Sequence, residues 1–305
     1  MKAGTKLERI LTSGKFAVTA EAGPPKGTSA EAIRKKGELL RHCCDAVNVT
    51  DNQTAIVRMS SVAGCLLLKQ QGIEPVMQMV VRDRNRLALQ GDVLGAVALG
   101  IGNILCLSGD HQKFGNHPGA KGVFDIDSIQ LLQTLKMMRD EKKFISGEDV
   151  SGEVPLFIGA AANPFADPFE YRVNRLAKKI KAGADFIQTQ AIYDVPKFAK
   201  WMAILTERGL DKQVHIMAGV IPIRSAGMAR YMRDYVPGVA VPDEIVTRME
   251  ESEAPKEEGV KIILEIIEQL KDMPGIHGIH IMAVGWEDIV PEVVEKSGLM
   301  PRPVV

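Results

Sequence analysis

Short apolar runs of the β type recur along the chain, and longer segments with helical periodicity separate them. Such runs, rich in Val, Ile and Ala, are typical of parallel strands that are buried on both faces. The first four begin at intervals of 29, 30 and 28 residues. Eight runs are present: FAVTAEAG from Phe16, DAVNVTD from Asp45, PVMQMVV from Pro75, NILCLSG from Asn103, PLFIGAAAN from Pro155, FIQTQAIY from Phe186, HIMAGVIP from His215 and GIHIMAV from Gly278.

The segments between these runs carry helix start and stop signals. Thr28 is a candidate N-cap before SAEAIRKKGELLRHC, Asp194 is another before a proline, and Gly183 follows FEYRVNRLAKKIKA as a C-cap. Eight alternations of strand and helix predict an α/β fold, and their number favours a closed (β/α)8 TIM barrel over an open doubly wound sheet. We expect a single barrel domain over residues 1–305.

Two connections are longer than the others. One contains the loop GDHQKFGNHPGAKG, and the other contains the acidic run RMEESEAPKEEG, for which we expect a solvated connection between helices. GIGN at Gly100 has two glycines of a dinucleotide-binding motif, but it precedes a strand instead of following one. The sequence therefore does not predict a Rossmann site.

Composition narrows the class of protein. The 305 residues include 38 basic and 38 acidic side chains, so no uniform field favours a nucleic acid or an anionic membrane. The N-terminus lacks the apolar run of a signal peptide, and no stretch approaches the roughly 18 uncharged apolar residues of a membrane span. We expect a soluble, cytoplasmic protein without nucleic-acid or membrane partners.

The four cysteines and the histidines do not have the spacing of a metal site. No C-x-x-C pair is present, so we expect reduced thiols that pack as small hydrophobic groups. The pairs His111 with His117 and His277 with His280 lack the H-E-x-x-H pattern. We expect no metal site, and any electrons that the protein handles must reside on an organic cofactor.

Polar residues follow six of the predicted strands. In a (β/α)8 barrel, the C-terminal ends of the strands and the loops after them build the active site. The candidates are Glu21, Asn48, Thr50, Asp51, Asn52, Gln78, Arg82, Asp83, Ser108, Gly109, Asp110, His111, Asn163, Gln188 and Gln190.

Three of these candidates have side chains suited to chemistry. Glu21 has apolar sequence neighbours, which favour a protonated carboxyl and hence a general acid, although a structural carboxylate is the alternative. Asp110 follows a glycine that lets a ligand approach, and its alternative is an N-cap or Asx-turn. Gln190 shares a strand face with Gln188 and can bond a heterocycle or simply a neighbouring strand.

Several motifs together resemble the methylenetetrahydrofolate reductase family, from Phe16 to about Pro301. Each segment is weak alone, but their order and placement on successive strand ends are specific. The segments are VTAEAGPP, DAVNVTDN, LSGD, ANP, KKIKAGADFIQTQAIYD, GVIP and GIHIMAVGWED.

This resemblance implies reduction of 5,10-methylenetetrahydrofolate to 5-methyltetrahydrofolate by hydride transfer from N5 of a reduced, non-covalently bound flavin. It implies that Glu21 is the general acid that protonates the folate N10, and that Asp110 is a catalytic carboxylate near the flavin pyrimidine and the pterin. Glu21, Asp110 and Gln190 would contact the folate, with Gln190 as the orienting amide.

The resemblance also implies a set of flavin contacts. The basic residues among them suit a phosphate or pyrophosphate, and a solvated basic helix face is the alternative. We expect FAD, with FMN as the alternative. The implied contacts are Thr50, Gln78, Gly109, Asp110, Asn163, Arg175, Lys178 and Lys179.

The chain departs from the familiar bacterial members of the family. It has Ala22 and Gly23 where they have two aromatics, Gln78 for a histidine, Asn163 for a tyrosine and Ser108 for an arginine. Direct use of NAD(P)H is therefore left open. The chain is similar to reductases of acetogenic bacteria, which implies an iron–sulfur or zinc electron-delivery subunit and an oligomer or hetero-complex.

Two other functions remain alternatives. One is a folate-binding barrel of another class, such as a pterin methyltransferase, which would bind folate without flavin. The other is a non-catalytic subunit of a larger redox complex.

Overall fold

A computed structural model describes residues 1–236 and 238–305, and its strands form a closed parallel barrel in sequence order, with the last strand paired to the first. This confirms the (β/α)8 barrel and all eight expected strands. The final strand begins at Ile276 instead of Gly278. The strands are β1 (Ala17–Ala22), β2 (Ala46–Val49), β3 (Pro75–Val80), β4 (Asn103–Leu107), β5 (Phe157–Ala162), β6 (Phe186–Ala191), β7 (His215–Val220) and β8 (Ile276–Ile281).

Helices connect the strands, and two of the three predicted caps are confirmed. Gly183 adopts φ 116° at a helix C-cap, and the Asp194 side chain accepts the Lys197 N–H at 2.8 Å, both as expected. Ser29, not Thr28, caps the second helix, because its hydroxyl reaches the Ala32 N–H at 3.3 Å. The helices are α1 (Lys6–Thr12), α2 (Ala30–Leu40), α3 (Ser61–Gln70), α4 (Arg86–Ala98), α5 (Ser128–Asp140), α6 (Phe169–Ala182), α7 (Val195–Glu207), α8 (Ala226–Tyr235), α9 (Asp243–Glu251), α10 (Pro255–Lys271) and α11 (Val290–Lys296).

The acidic run RMEESEAPKEEG is more ordered than a solvated connection. Most of it belongs to α9 and α10, and only residues 252–254 lie between them. Arg248 donates to Glu258 at 2.7 Å and to Glu265 at 2.7 Å, so part of the run ties the two helices together. The expectation of a purely solvated linker was wrong, because Arg248 of α9 faces acidic residues of α10.

The N-terminal end of the barrel is closed by apolar side chains. Leu7 and Ile10 of α1 are fully buried against inward-facing strand residues, among them Phe157 and Phe186, whose rings stack at 5.1 Å. Gly159 makes room for them, because a Cβ there would lie 2.2 Å from the Phe186 ring. The barrel interior is therefore filled at this end, and the opposite, C-terminal end is where ligands bind in other barrels of this type.

All four cysteines are buried and free, which confirms the expectation of reduced, packed thiols. No helix in the described part of the chain is both long enough and apolar enough to cross a membrane.

Two buried aspartates join neighbouring strands at the closed end. The Asp45 carboxylate precedes β2, accepts the Val18 N–H of β1 at 2.8 Å and pairs with Arg302. Asp185 precedes β6 in the same way and accepts the Ile158 N–H of β5 at 2.8 Å. Because Asp45 is 1% exposed, its charge depends on these partners for stabilisation.

Replacing Asp45 by alanine should destabilise the fold by about 3–5 kcal/mol, because it leaves the buried Arg302 guanidinium without its partner. The free energy of unfolding from urea titration measures this loss. Glu292→Ala is the control: it removes an exposed pair with Lys296 and should cost below about 1 kcal/mol. Equal losses in the two variants would show that the buried pair has no special weight.

Candidate active site

The inward-facing residues change from apolar to polar about halfway up the barrel. Thr19, Asn48, Gln188 and His280 all lie inside the barrel, are at most 2% exposed, and come from β1, β2, β6 and β8. Asn48 and Gln188 bond to each other, with the Asn48 Nδ2 donating to Gln188 Oε1 at 2.7 Å. This polar layer forms the floor beneath the open end.

Glu21 stands directly above the polar layer. Its Oε1 accepts a hydrogen bond from Gln78 Nε2 at 2.8 Å, and His280 Nε2 lies 3.5 Å from the same oxygen. The Glu21 side chain is 21% exposed. The immediate partners of Glu21 are therefore polar, and the expectation of an apolar surrounding drawn from its sequence neighbours was wrong, because the side chain points inward while Ala20 and Ala22 face the helices.

Glu21 lines a cavity of about 260 Å³ at the mouth of the barrel, here called the mouth cavity. Lys36 crosses its edge and pairs with Glu287 at 2.5 Å, and Arg58 donates to the Pro24 carbonyl at 2.9 Å. The buried Nε of Arg58 has no partner among the described residues. The lining residues are Glu21, Gly23, Lys36, Gln53, Arg58, Ala283, Val284, Gly285 and Glu287.

Asp110 lies at the same rim but lines neither this cavity nor the pocket described next. Its Oδ2 accepts the Thr54 N–H at 3.0 Å, and its backbone carbonyl accepts from the buried Arg82 at 3.0 Å. Arg82 also bonds Asn52 at 3.3 Å, so one guanidinium ties the loops after β2 and β4 together. Sequence reasoning noted Arg82 at the rim but did not assign it this role.

A second pocket, here called the cationic pocket, opens between the ends of β4, β5 and β6 and helix α6, with a volume of about 290 Å³. Arg172, Arg175 and Lys179 reach it from α6, and none of them forms a salt bridge within residues 1–236 and 238–305. Three cations without carboxylate partners favour an anionic ligand. The other lining residues are Cys106, Leu107, Ser108, Ser128, Ala161, Ala162, Asn163, Leu176 and Gln190.

Helical periodicity explains which basic residues reach this pocket. Positions 172, 175 and 179 repeat at i, i+3 and i+7 and so share one face of α6. Lys178 is exposed and does not line the pocket, so the structure does not place it with the other expected phosphate contacts. Arg172 was missed in the sequence, although the same spacing rule could have identified it.

Burial gives Lys179 an unusual charge state. Its side chain is 9% exposed, and its ammonium donates to the Ala161 carbonyl. Desolvation, followed by repulsion from Arg175, lowers the pKa of Lys179 to about 8. The positive charge of the pocket therefore falls as pH rises through about 8.

The remaining expected residues lie around these two spaces. Gln190 and Asn163 line the cationic pocket. Gln188 pairs with Met217 and Ala191 pairs with Gly219, so β6 has one residue more than β7 between these two pairs. At this bulge Gln190 points away from the polar layer. The Asn163 Oδ1 accepts the Phe165 N–H at 3.1 Å.

Thr50 and Gly109 have mainly structural contacts. Thr50 is buried and its hydroxyl bonds the Gln53 side chain, which lies in the mouth cavity. Gly109 adopts φ 83°, a conformation that favours glycine, at the turn that leads β4 into Asp110. These two residues shape the rim loops.

The fold and these pockets define a (β/α)8 barrel protein with a carboxylate and an anion-attracting pocket at the C-terminal ends of its strands. The chain belongs to the methylenetetrahydrofolate reductase family, because the model of that family, described as Methylenetetrahydrofolate reductase, matches residues 6–298.

Two curated relatives are similar in sequence. Methylenetetrahydrofolate reductase 2 of Saccharomyces cerevisiae is 25% identical, over 99% of this chain and 50% of its own length. Methylenetetrahydrofolate reductase 1 of Schizosaccharomyces pombe is 30% identical, over 47% of this chain and 24% of its own. The chain thus spans half or less of the length of these relatives.

Solved structures share the fold. An uncharacterized protein from Clostridium thermocellum that binds two copies of 5-methyl-5,6,7,8-tetrahydrofolic acid superposes with a TM-score of 0.65 at 14% identity, over 97% of this chain and 100% of that one. An oxaloacetate acetylhydrolase superposes with a TM-score of 0.53 at 12% identity, over 95% of this chain and 82% of that one. At these identities the likeness is one of fold.

Lys179→Met should weaken sulfate binding about tenfold, because one of three converging cations is lost. In the unchanged protein, sulfate affinity should fall as pH rises from 7 to 9, because Lys179 deprotonates with a pKa of about 8 while sulfate keeps its charge. Sulfate-dependent shifts of the melting temperature at constant ionic strength measure both effects.

Lys178→Met is the matched control, since it removes the same charge from the neighbouring exposed position. It should leave sulfate affinity unchanged. If both variants weakened sulfate equally, the general charge of α6 would be responsible and the cationic pocket would not be a discrete anion site.

Proposed function

We propose that the chain catalyses flavin-dependent reduction of 5,10-methylenetetrahydrofolate to 5-methyltetrahydrofolate. The observation that carries this proposal is that one rim holds both Glu21, fixed through Oε1 and partly exposed, and a separate pocket whose three cations form no salt bridge within the described residues. Family membership supports the same reaction. The folate-binding barrel from Clostridium thermocellum supports folate as the kind of ligand that this fold accepts.

The cationic pocket fits the phosphate group of a flavin. Arg175 and Lys179, which were expected contacts, and Arg172 would hold the phosphate or pyrophosphate, and Asn163 would contribute an amide. Small side chains at Ser108, Ala161 and Ala162 leave the wall of the pocket open to a flat group. A reduced flavin bound there would supply the hydride. We propose FAD, with FMN as the alternative.

Glu21 would supply the proton. Methylenetetrahydrofolate must open its five-membered ring before its bridging carbon becomes electrophilic, and protonation at N10 releases that carbon as an N5 iminium cation. The Glu21 carboxyl lines the mouth cavity, where it can reach such a nitrogen. Once it has given up its proton, its carboxylate is stabilised by the Gln78 N–H at 2.8 Å.

Asp110 would act through its charge. The Thr54 N–H holds Oδ2, and Arg82 holds the backbone carbonyl, so the carboxylate has a fixed position at the rim. A fixed negative charge favours the developing iminium cation and can accept hydrogen bonds from pterin N–H groups. Gln190, at the bulge of β6, would orient the folate.

The electron donor and partners are also part of the proposal. NADH or NADPH would reduce the flavin directly, or an iron–sulfur or zinc subunit would deliver the electrons in an oligomer or hetero-complex. Anaerobic mixing of the flavin-loaded chain with NADH or NADPH separates these routes, since only the direct route bleaches the flavin without a partner.

Glu21→Gln should retain flavin but slow folate reduction by a factor of about 10² or more, because glutamine cannot donate the proton. The protein is loaded with flavin, reduced anaerobically with dithionite and mixed with methylenetetrahydrofolate. Reappearance of the oxidised-flavin absorbance gives the rate of this half-reaction.

The unchanged chain in the same experiment tests the whole proposal. A protein that binds folate but no flavin would instead be a folate-binding barrel of another class. Near-normal turnover of Glu21→Gln would remove Glu21 from the mechanism.

Asp110→Asn should slow the folate half-reaction roughly tenfold or more and change flavin reduction far less, because the amide has no charge to stabilise the iminium. Asparagine can still accept from the Thr54 N–H, so the loops should keep their arrangement. Stopped-flow measurement of the two half-reactions separates the effects. Equal slowing of both would indicate a structural role.

A further inference from the structure

The polar layer beneath Glu21 contains a histidine that the proposed reaction does not yet use. His280 is 2% exposed, its Nδ1 lies 2.9 Å from Thr19 Oγ1, and its Nε2 lies 3.5 Å from Glu21 Oε1. A buried imidazole with polar groups on both nitrogens has its tautomer set by those groups. The neighbours of His280 therefore decide whether Nε2, the nitrogen that faces Glu21, carries the proton.

The amides of Asn48 and Gln188 set the direction of the hydrogen bonds. Gln188 Oε1 accepts from Asn48 at 2.7 Å, which leaves the Gln188 Nε2 as a donor. That nitrogen lies 3.1 Å from Thr19 Oγ1 and 3.3 Å from His280 Nδ1. The Thr19 hydroxyl has two possible acceptors, His280 Nδ1 at 2.9 Å and the Ile279 carbonyl at 3.5 Å, and the shorter contact favours donation to Nδ1. We infer that Nδ1 is an acceptor and that the imidazole proton lies on Nε2.

The position of the Glu21 carboxyl group supports the same tautomer of His280. If both amides were turned, His280 would carry its proton on Nδ1, and the Nε2 lone pair would face Glu21 Oε1 at 3.5 Å. Once Glu21 has given up its proton, a lone pair on Nε2 would repel the carboxylate oxygen, whereas an N–H facing that oxygen attracts it. A small side-chain rotation would shorten this contact to a hydrogen bond, as often happens when a substrate binds.

We propose that His280 is a positioning residue that determines which oxygen of Glu21 carries the proton. The Gln78 N–H already donates to Oε1 at 2.8 Å, and His280 Nε2 lies 3.5 Å from the same atom. An oxygen that accepts two N–H donors is the carbonyl oxygen of the acid, so the proton resides on Oε2. This inference rests on the proposed role of Glu21 as the proton donor to folate N10.

Two substitutions of His280 separate its two nitrogens. Asparagine is short enough to keep a polar atom near the Nδ1 position, beside Thr19, but does not reach Glu21. Glutamine extends to the Nε2 position and can donate an N–H to Oε1. His280→Asn should slow the folate half-reaction by roughly 10- to 100-fold with little change in flavin content or in the KM for folate. His280→Gln should recover the rate to within about fivefold of the unchanged protein.

The comparison of these variants decides the proposal. A loss in His280→Asn that glutamine rescues supports the positioning role. Equal rates in the two variants, whether both normal or both slow, would overturn it, since the N–H at the Nε2 position would then not matter. Flavin reduction by dithionite and the melting temperature report whether either variant is simply misfolded.

The tautomer itself can be measured without turnover. Long-range ¹H–¹⁵N spectra of histidine-labelled protein distinguish Nε2–H from Nδ1–H, and the His280 signals are identified by their loss in His280→Gln. We expect the Nε2–H form, and Thr19→Val should disturb it because the donor to Nδ1 is removed. An Nδ1–H form would overturn the inference whatever the activity. An Nε2–H form with fully active Glu21→Gln would instead show that the proposed function of Glu21 fails.

Discussion

Burial of polar side chains inside the barrel is the constraint on which the arrangement of the mouth depends. A closed parallel barrel points every second side chain inward, where a polar group must find a protein partner. Asn48, Gln188 and His280 meet this requirement by bonding to one another and to Thr19. Because the network joins strands from both sides of the barrel, it holds Glu21 above it in one orientation.

The mouth also separates charge. The carboxylates of Glu21 and Asp110 belong to β1 and to the loop after β4. The cations that form no salt bridge in the described part of the chain come from α6. Keeping an ammonium such as Lys179 buried has a desolvation cost, which lowers its pKa and which an anionic ligand would offset. This separation of charge matches ligands that place an anionic group at the cations and a basic nitrogen near the carboxylates. A flavin with a phosphate and a folate beside it together provide these two groups.

Much of the fold and part of the site could be predicted from the sequence. The strands are buried on both faces, so their apolar runs stand out, and the parallel order places every strand end at one rim. Gln190 could be placed at this rim for that reason, whereas Arg175 and Lys179 were expected only from the family resemblance. Helical spacing could also have predicted that Arg172 reaches the cationic pocket and that Lys178 is exposed, but neither was predicted. The contact between Glu21 and Gln78 could not be predicted, because these residues are 57 positions apart in the chain.

The sequence by itself determined the alternation of strands and helices and the identity of the polar residues at the open end. These properties are encoded in local periodicity and in turn and cap residues, which act over a few positions. Only the tertiary structure decided which polar groups meet: that His280 faces Glu21, that Asp110 bonds the loop after β2, and that the bulge in β6 turns Gln190 toward the cationic pocket. Those pairings depend on barrel closure and strand register, which bring distant parts of the chain together and leave no local signal.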